Sequence, residues 1–342
     1  MKIAFIGAGR WAITLALTLN RKGNEVKMWE FSKERLDILL KTRKISDLPD
    51  TILIPDSIYI SNTIEEVLET SEVVFFVVPS QSLRSVLIKI SPFRFSSTNK
   101  LATKTPILVS AMKGLENSTN KRISEILNEF YPAAKIVALV GPGIPYEIAE
   151  GKPASLVAVS DSNGAARSIQ EILSYENLRV YTHSDVIGAE LGGALKNVIA
   201  IATGICDGLK LGDNAKAALL TRGLAEITRL GIAMNANPMT FAGLSGIGDL
   251  IVTAYSPYSR NRLLGVTISR GIHIEQAIRS MTGIAEGAAT TISAKSLGLK
   301  MHLELPIIEE INSILFQNHD ITKSIKRLMQ RPLKKETNNE NS

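Results

Sequence analysis

The chain opens with an apolar strand that runs directly into a glycine-rich turn. Lys2–Ile6 is a β-type run, and the letters GAGRWA at 7–12 follow it in the pattern G-x-G-x-x-[GA], leading into an amphipathic stretch. Gly7 permits a tight turn, Gly9 lets a pyrophosphate approach the backbone, and Ala12 lets the helix pack closely on the sheet. Free N–H groups at the helix start can then bind phosphate. This order predicts a dinucleotide-binding α/β unit at the N-terminus.

The first half of the chain alternates β-type runs with amphipathic stretches. Several runs are continuously apolar, as expected of strands that are covered on both faces. Strand and helix repeated in this way predict a doubly wound α/β domain with a parallel sheet. The predicted strands are Lys2–Ile6, Glu25–Trp29, Val73–Val78, Ile107–Ser110, Ile136–Val140, Ser155–Ser160 and Leu178–Tyr181, and the helices between them include Trp11–Arg21, Ser82–Ile90 and Lys121–Phe130.

From about Ser184 onward the pattern becomes helical, and we find no convincing strand. Glycine and proline separate the predicted helices, which are Val186–Gly208, Asn214–Met234, Arg260–Ser269, Ile274–Arg279, Glu286–Leu297 and Leu305–Phe316. We therefore expect a dinucleotide-binding domain over 1–185 and an all-α substrate and catalytic domain over 186–330. The polar residues 331–342 are expected to form a disordered tail.

Composition narrows the class of protein. The 342 residues include 39 Lys+Arg and 33 Asp+Glu, and the net charge of +6 suits a protein that binds several phosphates. The basic residues are dispersed and aromatics make up only 5%, so a nucleic-acid stacking surface is poorly supplied. No run reaches the ~18 consecutive apolar residues of a membrane span, and the first apolar run is too short for a signal peptide. We expect a cytoplasmic protein with a small-molecule substrate and no nucleic-acid partner.

The single cysteine excludes an internal disulfide and a cysteine-rich zinc site. Cys206 follows an apolar run, which indicates a small buried hydrophobic side chain. A reactive thiol is the alternative. We predict no metal site.

The second predicted strand ends beside an acidic residue. Glu30 lies 21 residues after Gly9, where a carboxylate can accept hydrogen bonds from the adenosine ribose and would repel a 2′-phosphate. This favours NAD over NADP, although Lys33 and Arg35 weaken the preference, and a surface glutamate is the alternative. Residues 77–80, after another apolar strand, either lie near the nicotinamide or form only a turn.

Two lysines are candidates for proton transfer or substrate binding. Lys113 follows a predicted strand, so its side chain points into the ligand crevice at the carboxyl edge of the sheet, unless it is a solvated loop lysine. Lys196 lies inside a Gly/Ala-rich apolar helix, where burial would lower its pKa toward neutrality and suit proton transfer. The alternative for Lys196 is a side chain whose amine reaches the solvent.

Two further segments carry polar groups for the same crevice. Asp249 stands among glycine and apolar residues, where it either pairs with Lys196 or caps a helix. Ser259, Arg260 and Asn261 supply a hydroxyl, a guanidinium and an amide in one short turn. Such a turn can clamp a phosphate, because arginine donates two parallel hydrogen bonds. A basic helix start is the alternative.

Together these segments resemble the NAD(P)-dependent glycerol-3-phosphate dehydrogenase family of the bacterial type, over roughly residues 1–320. The order and spacing of seven segments carry the likeness. They are GAGRW (7–11), AMKGLE (111–116), GPGIPYEIAEGKP (141–153), ELGGALKNVIAIATGICDGLKLGDNAKAALLTRGLAEI (190–227), GLSGIGDLIVT (243–253), SRNR (259–262) and AEG (285–287).

The resemblance implies a Rossmann-type N-terminal domain, an all-α C-terminal domain and NAD or NADP as cofactor. The implied reaction interconverts dihydroxyacetone phosphate and sn-glycerol 3-phosphate by hydride transfer, for glycerophospholipid synthesis. The implied catalytic residues are Lys196, Asp249 and Lys113. The implied substrate contacts are Lys113, Gly141, Gly143, Lys196, Asp249, Ser259, Arg260 and Asn261. Besides Gly7, Gly9, Ala12 and Glu30, the expected cofactor contacts are Arg10, Trp11, Phe31, Lys113, Pro145, Arg260, Ile284 and Glu286.

Three departures from the family pattern matter, at Ala12, Gly143 and Pro145. Ala12 stands where glycine is usual, which the general motif tolerates. The family usually has Gly-Pro-Ser/Thr-Phe-Ala where this chain has Gly-Pro-Gly-Ile-Pro at 141–145. Gly143 removes a hydroxyl that could bind substrate, and Pro145 removes a backbone donor near the cofactor.

Two other functions are alternative hypotheses. A related β-hydroxyacid dehydrogenase, such as one acting on 6-phosphogluconate, has a pattern resembling G-x-x-x-K-x-x-x-N. Gly192 and Lys196 fit that pattern, but Ala200 stands at the asparagine position. A non-catalytic dinucleotide-binding module would need the N-terminal motif but not Lys196 or Asp249. A homodimer is possible, because the helical half is rich in apolar residues.

Overall fold

An eight-stranded sheet forms the N-terminal half of the chain in the computed structural model, which describes residues 1–45, 48–91, 106–333 and 335–336. The strands are β1 (Lys2–Ile6), β2 (Glu25–Trp29), β3 (Ile58–Ser61), β4 (Val73–Phe76), β5 (Ile107–Ser110), β6 (Lys135–Val140), β7 (Ala154–Val159) and β8 (Leu178–His183). Their order in the sheet is β3-β2-β1-β4-β5-β6-β7-β8. The register aligns Ile6 with Trp29 and Phe76, and Phe76 with Ser110. The carboxyl ends of these strands therefore meet at one edge.

Helices cover both faces of this sheet, which is why its strands are continuously apolar. They are α1 (Arg10–Arg21), α2 (Lys33–Thr42), α3 (Ile64–Leu68), α4 (Leu83–Ile90), α5 (Ile123–Phe130), α6 (Pro145–Ala149) and α7 (Asn163–Leu173). Successive side chains of a strand point to opposite faces. In β1, accordingly, Phe5 belongs to the apolar core on one face and Ile6 to the core on the other.

The sheet is not parallel throughout, which corrects the expectation from the sequence. β7 pairs with β6 in antiparallel fashion, with Leu139 opposite Ala158. A parallel neighbour requires a connection that crosses the whole sheet. The segment between Val140 and Ala154 contains only the short helix α6, so β7 starts at the edge where β6 ends. The longer helix α7 then makes the crossover that lets β8 run parallel to β7.

The C-terminal half is helical, and the described residues from 184 onward contain no strand, as predicted. Its helices are α8 (Val186–Gly208), α9 (Asp213–Ala233), α10 (Asp249–Tyr255), α11 (Arg260–Ser269), α12 (Ile274–Arg279), α13 (Glu286–Lys300), α14 (Pro306–Phe316) and α15 (Ile321–Met329), with a 3₁₀ turn at Pro238–Ala242 and a π turn at Leu244–Gly248. The predicted tail over 331–342 falls largely outside the described residues.

Helix α8 is the centre of this half, with α9, α10, α11 and α13 packed around it. Among the described residues, α8 is the one helix long and apolar enough to cross a membrane, but 89% of the residues in that window are buried inside the protein. Glycines allow α8 and α11 to approach closely. A Cβ at Gly204 would lie 2.0 Å from the carbonyl oxygen of Arg262, and one at Gly265 would lie 2.1 Å from that of Ile201.

Buried polar contacts join α8 to the sheet half. The carboxylate of Glu190 accepts hydrogen bonds from the backbone N–H of Ser124, at 2.8 Å, and from Nη1 of Arg122, also at 2.8 Å. Both partners lie at the start of α5. Burial raises the pKa of Glu190, because the charged form loses its hydration. The carboxylate therefore caps α5 while it holds α8 against the sheet.

Candidate active site

The glycine turn after β1 has the shape of a phosphate cradle. Gly7 has φ of +109°, and a Cβ there would lie 2.6 Å from the carbonyl oxygen of Val77, so only glycine fits. A Cβ at Gly9, in contrast, would meet no atom within 4 Å. Gly9 precedes α1 and offers no side-chain cap to its first N–H groups. Open space at an uncapped helix start fits the pyrophosphate of a dinucleotide.

The three residues that follow Gly9 differ in their exposure. Ala12 is fully buried beneath the turn, and Arg10 and Trp11 are half-buried. The indole of Trp11 lies beside the loop after β6, where a Cβ at Gly143 would come 3.0 Å from its Cη2 atom. A hydroxyl-bearing side chain at position 143, which is usual in the family, would therefore crowd this indole. Glycine at this position leaves room for the indole of Trp11.

The acidic residue predicted at the ribose position is buried. Oε1 of Glu30 accepts a hydrogen bond from the backbone N–H of Ser32 at 3.0 Å, and its Oε2 lies 3.7 Å from Nη2 of Arg35. Phe31 is 70% exposed, with the ammonium of Lys89 at 4.7 Å from the ring centroid. Both Glu30 and Phe31 lie at the end of β2, three strand spacings or about 14 Å from β5.

Lys113, at the end of β5, meets the helical half in a buried cluster of charges. Oδ2 of Asp249 lies 2.5 Å from Nζ of Lys113, and its Oδ1 lies 3.0 Å from Nζ of Lys196. Lys196 is 5% exposed and Asp249 is 1% exposed, so neither side chain reaches bulk water. Gly248 is the residue that precedes α10, and Asp249 is the first residue of that helix. The aspartate carboxylate therefore bridges the two amines.

Burial makes the amine of Lys196 easier to deprotonate. Desolvation lowers its pKa to about 8, although Asp249 opposes the shift by stabilising the ammonium, while the charge of Lys113 adds to it. An amine with a pKa near physiological pH can donate and accept a proton. This cluster can therefore act as an acid or a base.

Thr253 is a member of this cluster that the sequence reasoning missed. Its Oγ1 accepts a hydrogen bond from Nζ of Lys196 at 2.5 Å and donates one to the carbonyl oxygen of Asp249 at 2.6 Å. Thr253 lies four residues after Asp249, on the same face of α10. The available signal was this spacing, which is informative only once a helix over 249–255 is predicted.

The loop after β6 is tied to the same cluster. Lys113 donates a hydrogen bond to the carbonyl oxygen of Gly141 at 2.9 Å, and Gly141 has φ of +115°. Pro145 is the first residue of α6, where the missing N–H would have no helical partner in any case. Its carbonyl oxygen accepts a hydrogen bond from Oγ1 of Thr14 at 3.3 Å, which joins α6 to α1.

The predicted clamp lies at the start of α11, close to Lys196 through its neighbour Asn197. Ser259 caps α11 by accepting from the N–H of Arg262. The side chain of Asn261 donates to Oδ1 of Asn197 at 2.9 Å and accepts from the N–H of Gly287 at 2.9 Å. Among the described residues, the Asn261 amide donates this one hydrogen bond, which leaves its second N–H for a ligand. Helix α8 thus positions both the buried amine and the clamp.

The segment at 284–287 brings α13 to the end of β4. Glu286 accepts hydrogen bonds from the backbone N–H of Ser80, at 3.0 Å, and from its Oγ, at 2.5 Å. Desolvation raises the pKa of Glu286. Ile284 is 51% exposed beside this contact. Ser80 was expected near the nicotinamide or in a turn, and it lies in a short 3₁₀ turn that contacts the helical half.

Cys206 lies outside this cluster. It is buried, as the sequence indicated, and burial raises the pKa of its thiol. The described part of the chain contains no group of three or more His, Cys, Asp or Glu side chains that could hold a metal ion.

A phosphate cradle after β1 and a buried amine–carboxylate cluster between the end of β5 and helices α8 and α10 fit a dinucleotide-dependent oxidoreductase. Residues 2–166 match the family model of the NAD-dependent glycerol-3-phosphate dehydrogenase N-terminus, and residues 185–326 match that of the C-terminus. The chain belongs to the NAD-dependent glycerol-3-phosphate dehydrogenase family. The family, the two-part fold and the NAD(P) cofactor expected from the sequence are thereby confirmed.

Individual relatives are similar over nearly the whole chain. A glycerol-3-phosphate dehydrogenase [NAD(P)+] 1 of Salinibacter ruber is 43% identical, over 98% of this chain and 96% of its own length. A glycerol-3-phosphate dehydrogenase [NAD(P)+] of Citrifermentans bemidjiense is also 43% identical, over 98% of both chains. The crystal structure of glycerol-3-phosphate dehydrogenase from Coxiella burnetii is 31% identical, with a TM-score of 0.90 over 96% of this chain and 98% of that one.

Proposed function

We propose that this chain reduces dihydroxyacetone phosphate to sn-glycerol 3-phosphate, reversibly, with Lys196 as the proton donor. The observation that carries the proposal is the amine of Lys196, buried and 3.0 Å from the carboxylate of Asp249. The nicotinamide of NADH or NADPH supplies the hydride. Lys196 protonates the alkoxide that develops on the substrate, and in the reverse direction it accepts that proton.

The charges of the cluster suit this step. With both amines protonated, Lys113, Lys196 and Asp249 together carry a net charge of +1. A developing alkoxide in a water-poor crevice is strongly stabilised by such a preorganised positive charge. Asp249 holds Lys196 in position and favours its charged form, and Lys113 steadies the substrate oxygen.

The remaining assigned residues bind the two ligands. Ser259, Arg260 and Asn261 bind the substrate phosphate at the start of α11, and Gly141 and Gly143 line the substrate side of the loop after β6. The dinucleotide is held by two sets of residues. Gly7, Gly9, Arg10, Trp11 and Ala12 form the cradle, and Glu30, Phe31, Lys113, Pro145, Arg260, Ile284 and Glu286 complete the site.

We assign cofactor binding to a domain over 1–185 and substrate binding and catalysis to a domain over 186–330. The division is supported by the end of β8 at His183 and the start of α8 at Val186. The largest apolar core on each side supports it as well, because one contains residues 3–180 only and the other, apart from Leu115, contains residues from 187 onward. The cytoplasm and glycerophospholipid synthesis are the proposed setting.

We also propose a homodimer through the helical half, where the side chains of Met239 and Leu299 are 73% and 66% exposed. Light scattering of the purified protein tests this assembly, and a mass of one chain at micromolar concentration would contradict it.

The test of the activity is a substrate panel with the purified enzyme. NADH or NADPH oxidation, followed by absorbance, should be saturable in dihydroxyacetone phosphate. Turnover of 6-phosphogluconate instead would indicate the β-hydroxyacid dehydrogenase alternative. Cofactor binding without oxidation of any substrate would indicate a binding module.

A further inference from the structure

A single arginine connects the phosphate cradle to the acidic residue at the ribose position. Arg35 lies in the first turn of α2, where its backbone N–H is capped by Ser32. Its Nη2 lies 3.7 Å from Oε2 of Glu30 and 3.4 Å from the carbonyl oxygen of Ala8, inside the glycine turn. The guanidinium therefore stands at the place where the adenosine ribose would meet the end of β2.

Glu30 by itself would reject a phosphate at this place. Its side chain is 7% exposed and its carboxylate accepts a hydrogen bond from the N–H of Ser32, so the carboxylate has little contact with water. A buried carboxylate facing a 2′-phosphate costs binding energy unless a cation neutralises it. Among the described residues, Arg35 is the cation that forms an ion pair with Glu30, at 3.7 Å.

Arg35 is also able to bind a phosphate. Its side chain is 52% exposed, so the guanidinium faces the solvent from which a cofactor would enter. Its contacts with Glu30 and Ala8 are long and both involve Nη2. Guanidinium carries five N–H donors in a planar fork, which leaves a pair of them for a phosphate. The ammonium of Lys89, over the ring of Phe31, adds positive charge at the same end of the crevice.

We propose that Arg35 is the residue with which this chain binds the 2′-phosphate of NADP(H). The same pocket accepts NAD(H), because Glu30 then receives the hydrogen bond of the free 2′-hydroxyl. The Glu30–Arg35 pair is thus a specificity determinant for both cofactors. This inference rests on the proposed assignment of the pocket to the adenosine end of the cofactor.

The test is a fluorescence titration, without substrate, that measures the equilibrium binding of NADPH and of NADH to the full chain. In Arg35→Gln the affinity for NADPH relative to NADH should fall about tenfold or more, since hydrogen bonds to charged groups contribute that much. Lys41→Gln is the matched control. It removes one positive charge from an exposed position in the last turn of the same helix, and it should leave the ratio within about twofold.

A second pair of variants removes the risk that Arg35→Gln leaves Glu30 as an unpaired buried charge. Glu30→Gln should raise the affinity for NADPH relative to NADH. Adding Arg35→Gln to Glu30→Gln should then lower that ratio about tenfold. This second comparison involves no orphaned carboxylate, so a fall in the ratio reports the arginine itself.

Two outcomes would overturn the inference. One is a wild-type protein that binds NADH but not NADPH. The other is an unchanged ratio in both the Arg35→Gln protein and the double variant. Because these titrations contain no dihydroxyacetone phosphate, they remain decisive even if the proposed reduction fails. The expected fall in ratio without any turnover would leave Arg35 assigned and the proposed activity refuted.

Discussion

The Nζ atom of Lys196 lies 3.0 Å from Oδ1 of Asp249, and the other oxygen of that carboxylate contacts Lys113. The two lysines come from different halves of the chain, on α8 and at the end of β5. Burial lowers the pKa of the Lys196 amine, and this one carboxylate opposes that shift while it contacts a lysine from each half. This dual contact determines how the cluster should respond to mutation and to pH.

Lys196→Met should abolish most of the activity while the protein still folds. Asp249 keeps Lys113 as a partner, so no unpaired buried charge results. Loss of the proton donor should lower kcat on the order of 10³-fold or more. The measurement is steady-state oxidation of NADH with dihydroxyacetone phosphate. Lys300→Met, at an exposed position on α13, is the control and should turn over normally. Near-wild-type turnover by Lys196→Met would refute the assignment.

The pH profiles of the two directions should be mirror images around the pKa of Lys196, about 8. Reduction needs the ammonium form, so its kcat/KM should fall as pH rises through that value. Oxidation needs the free amine, so its kcat/KM should rise over the same range.

Variants of the two charged neighbours of Lys196 should shift the pH at which kcat/KM changes, and they should shift it in opposite directions. Asp249→Asn removes the anion that favours the ammonium and should shift it to lower pH. Lys113→Met removes a repelling cation and should shift it to higher pH. The measurement is kcat/KM as a function of pH in each variant. Equal shifts in both variants would contradict control of Lys196 by this cluster.

Gly204→Ala should destabilise the protein and weaken substrate binding. The new Cβ would lie 2.0 Å from the carbonyl oxygen of Arg262, so α11 must move, together with Arg260 and Asn261. We expect a loss of roughly 1–3 kcal/mol in the free energy of unfolding and a higher KM for dihydroxyacetone phosphate. In the control Gly164→Ala, the Cβ would meet nothing within 4 Å in helix α7, and we expect a gain of about 0.5–1 kcal/mol. Urea denaturation compares the two, and equal stability would refute the close approach.

Glu226 should make stability depend on pH. Its carboxylate accepts the backbone N–H groups of Ile307 and Ile308 at the start of α14, and burial raises its pKa from 4.5 to about 7. Between these values the folded protein binds a proton that the unfolded chain does not, so stability falls as pH rises from 4.5 to about 7. Glu226→Gln lacks this titration. The measurement is urea denaturation at about pH 5 and about pH 8. Between these two pH values the free energy of unfolding of the wild type should fall by about 2 to 3 kcal/mol more than that of the variant. Parallel pH curves would contradict it.

Local patterns were enough to predict most of the longer elements. The predicted bounds of β1, β2, β5, α8, α11 and α12 are those observed. Each has a clear periodicity or apolar run, and α8 and α11 begin after capping side chains, Asp185 and Ser259. These signals are local, so they can be recognised without knowing the fold.

Short elements and strand direction were not predictable in this way. Strand β3 and helix α10 were not predicted, because their four and seven residues are too few to show a reliable period. Helix α7, which has Gly164 in its first turn, was not predicted either. The antiparallel direction of β7 depends on the length and path of the connection before it, which the apolar pattern of the strand does not record.

By itself, the sequence determined the phosphate cradle, the two-part architecture and the presence of a lysine inside an apolar helix. The tertiary structure alone decided that Asp249 bridges Lys113 and Lys196, which stand 136 and 53 residues away from it. It alone decided as well that Arg35 pairs with a buried Glu30 at 3.7 Å. Periodicity states which face of an element is apolar, whereas contacts between distant side chains follow from how the helical half packs against the carboxyl edge of the sheet.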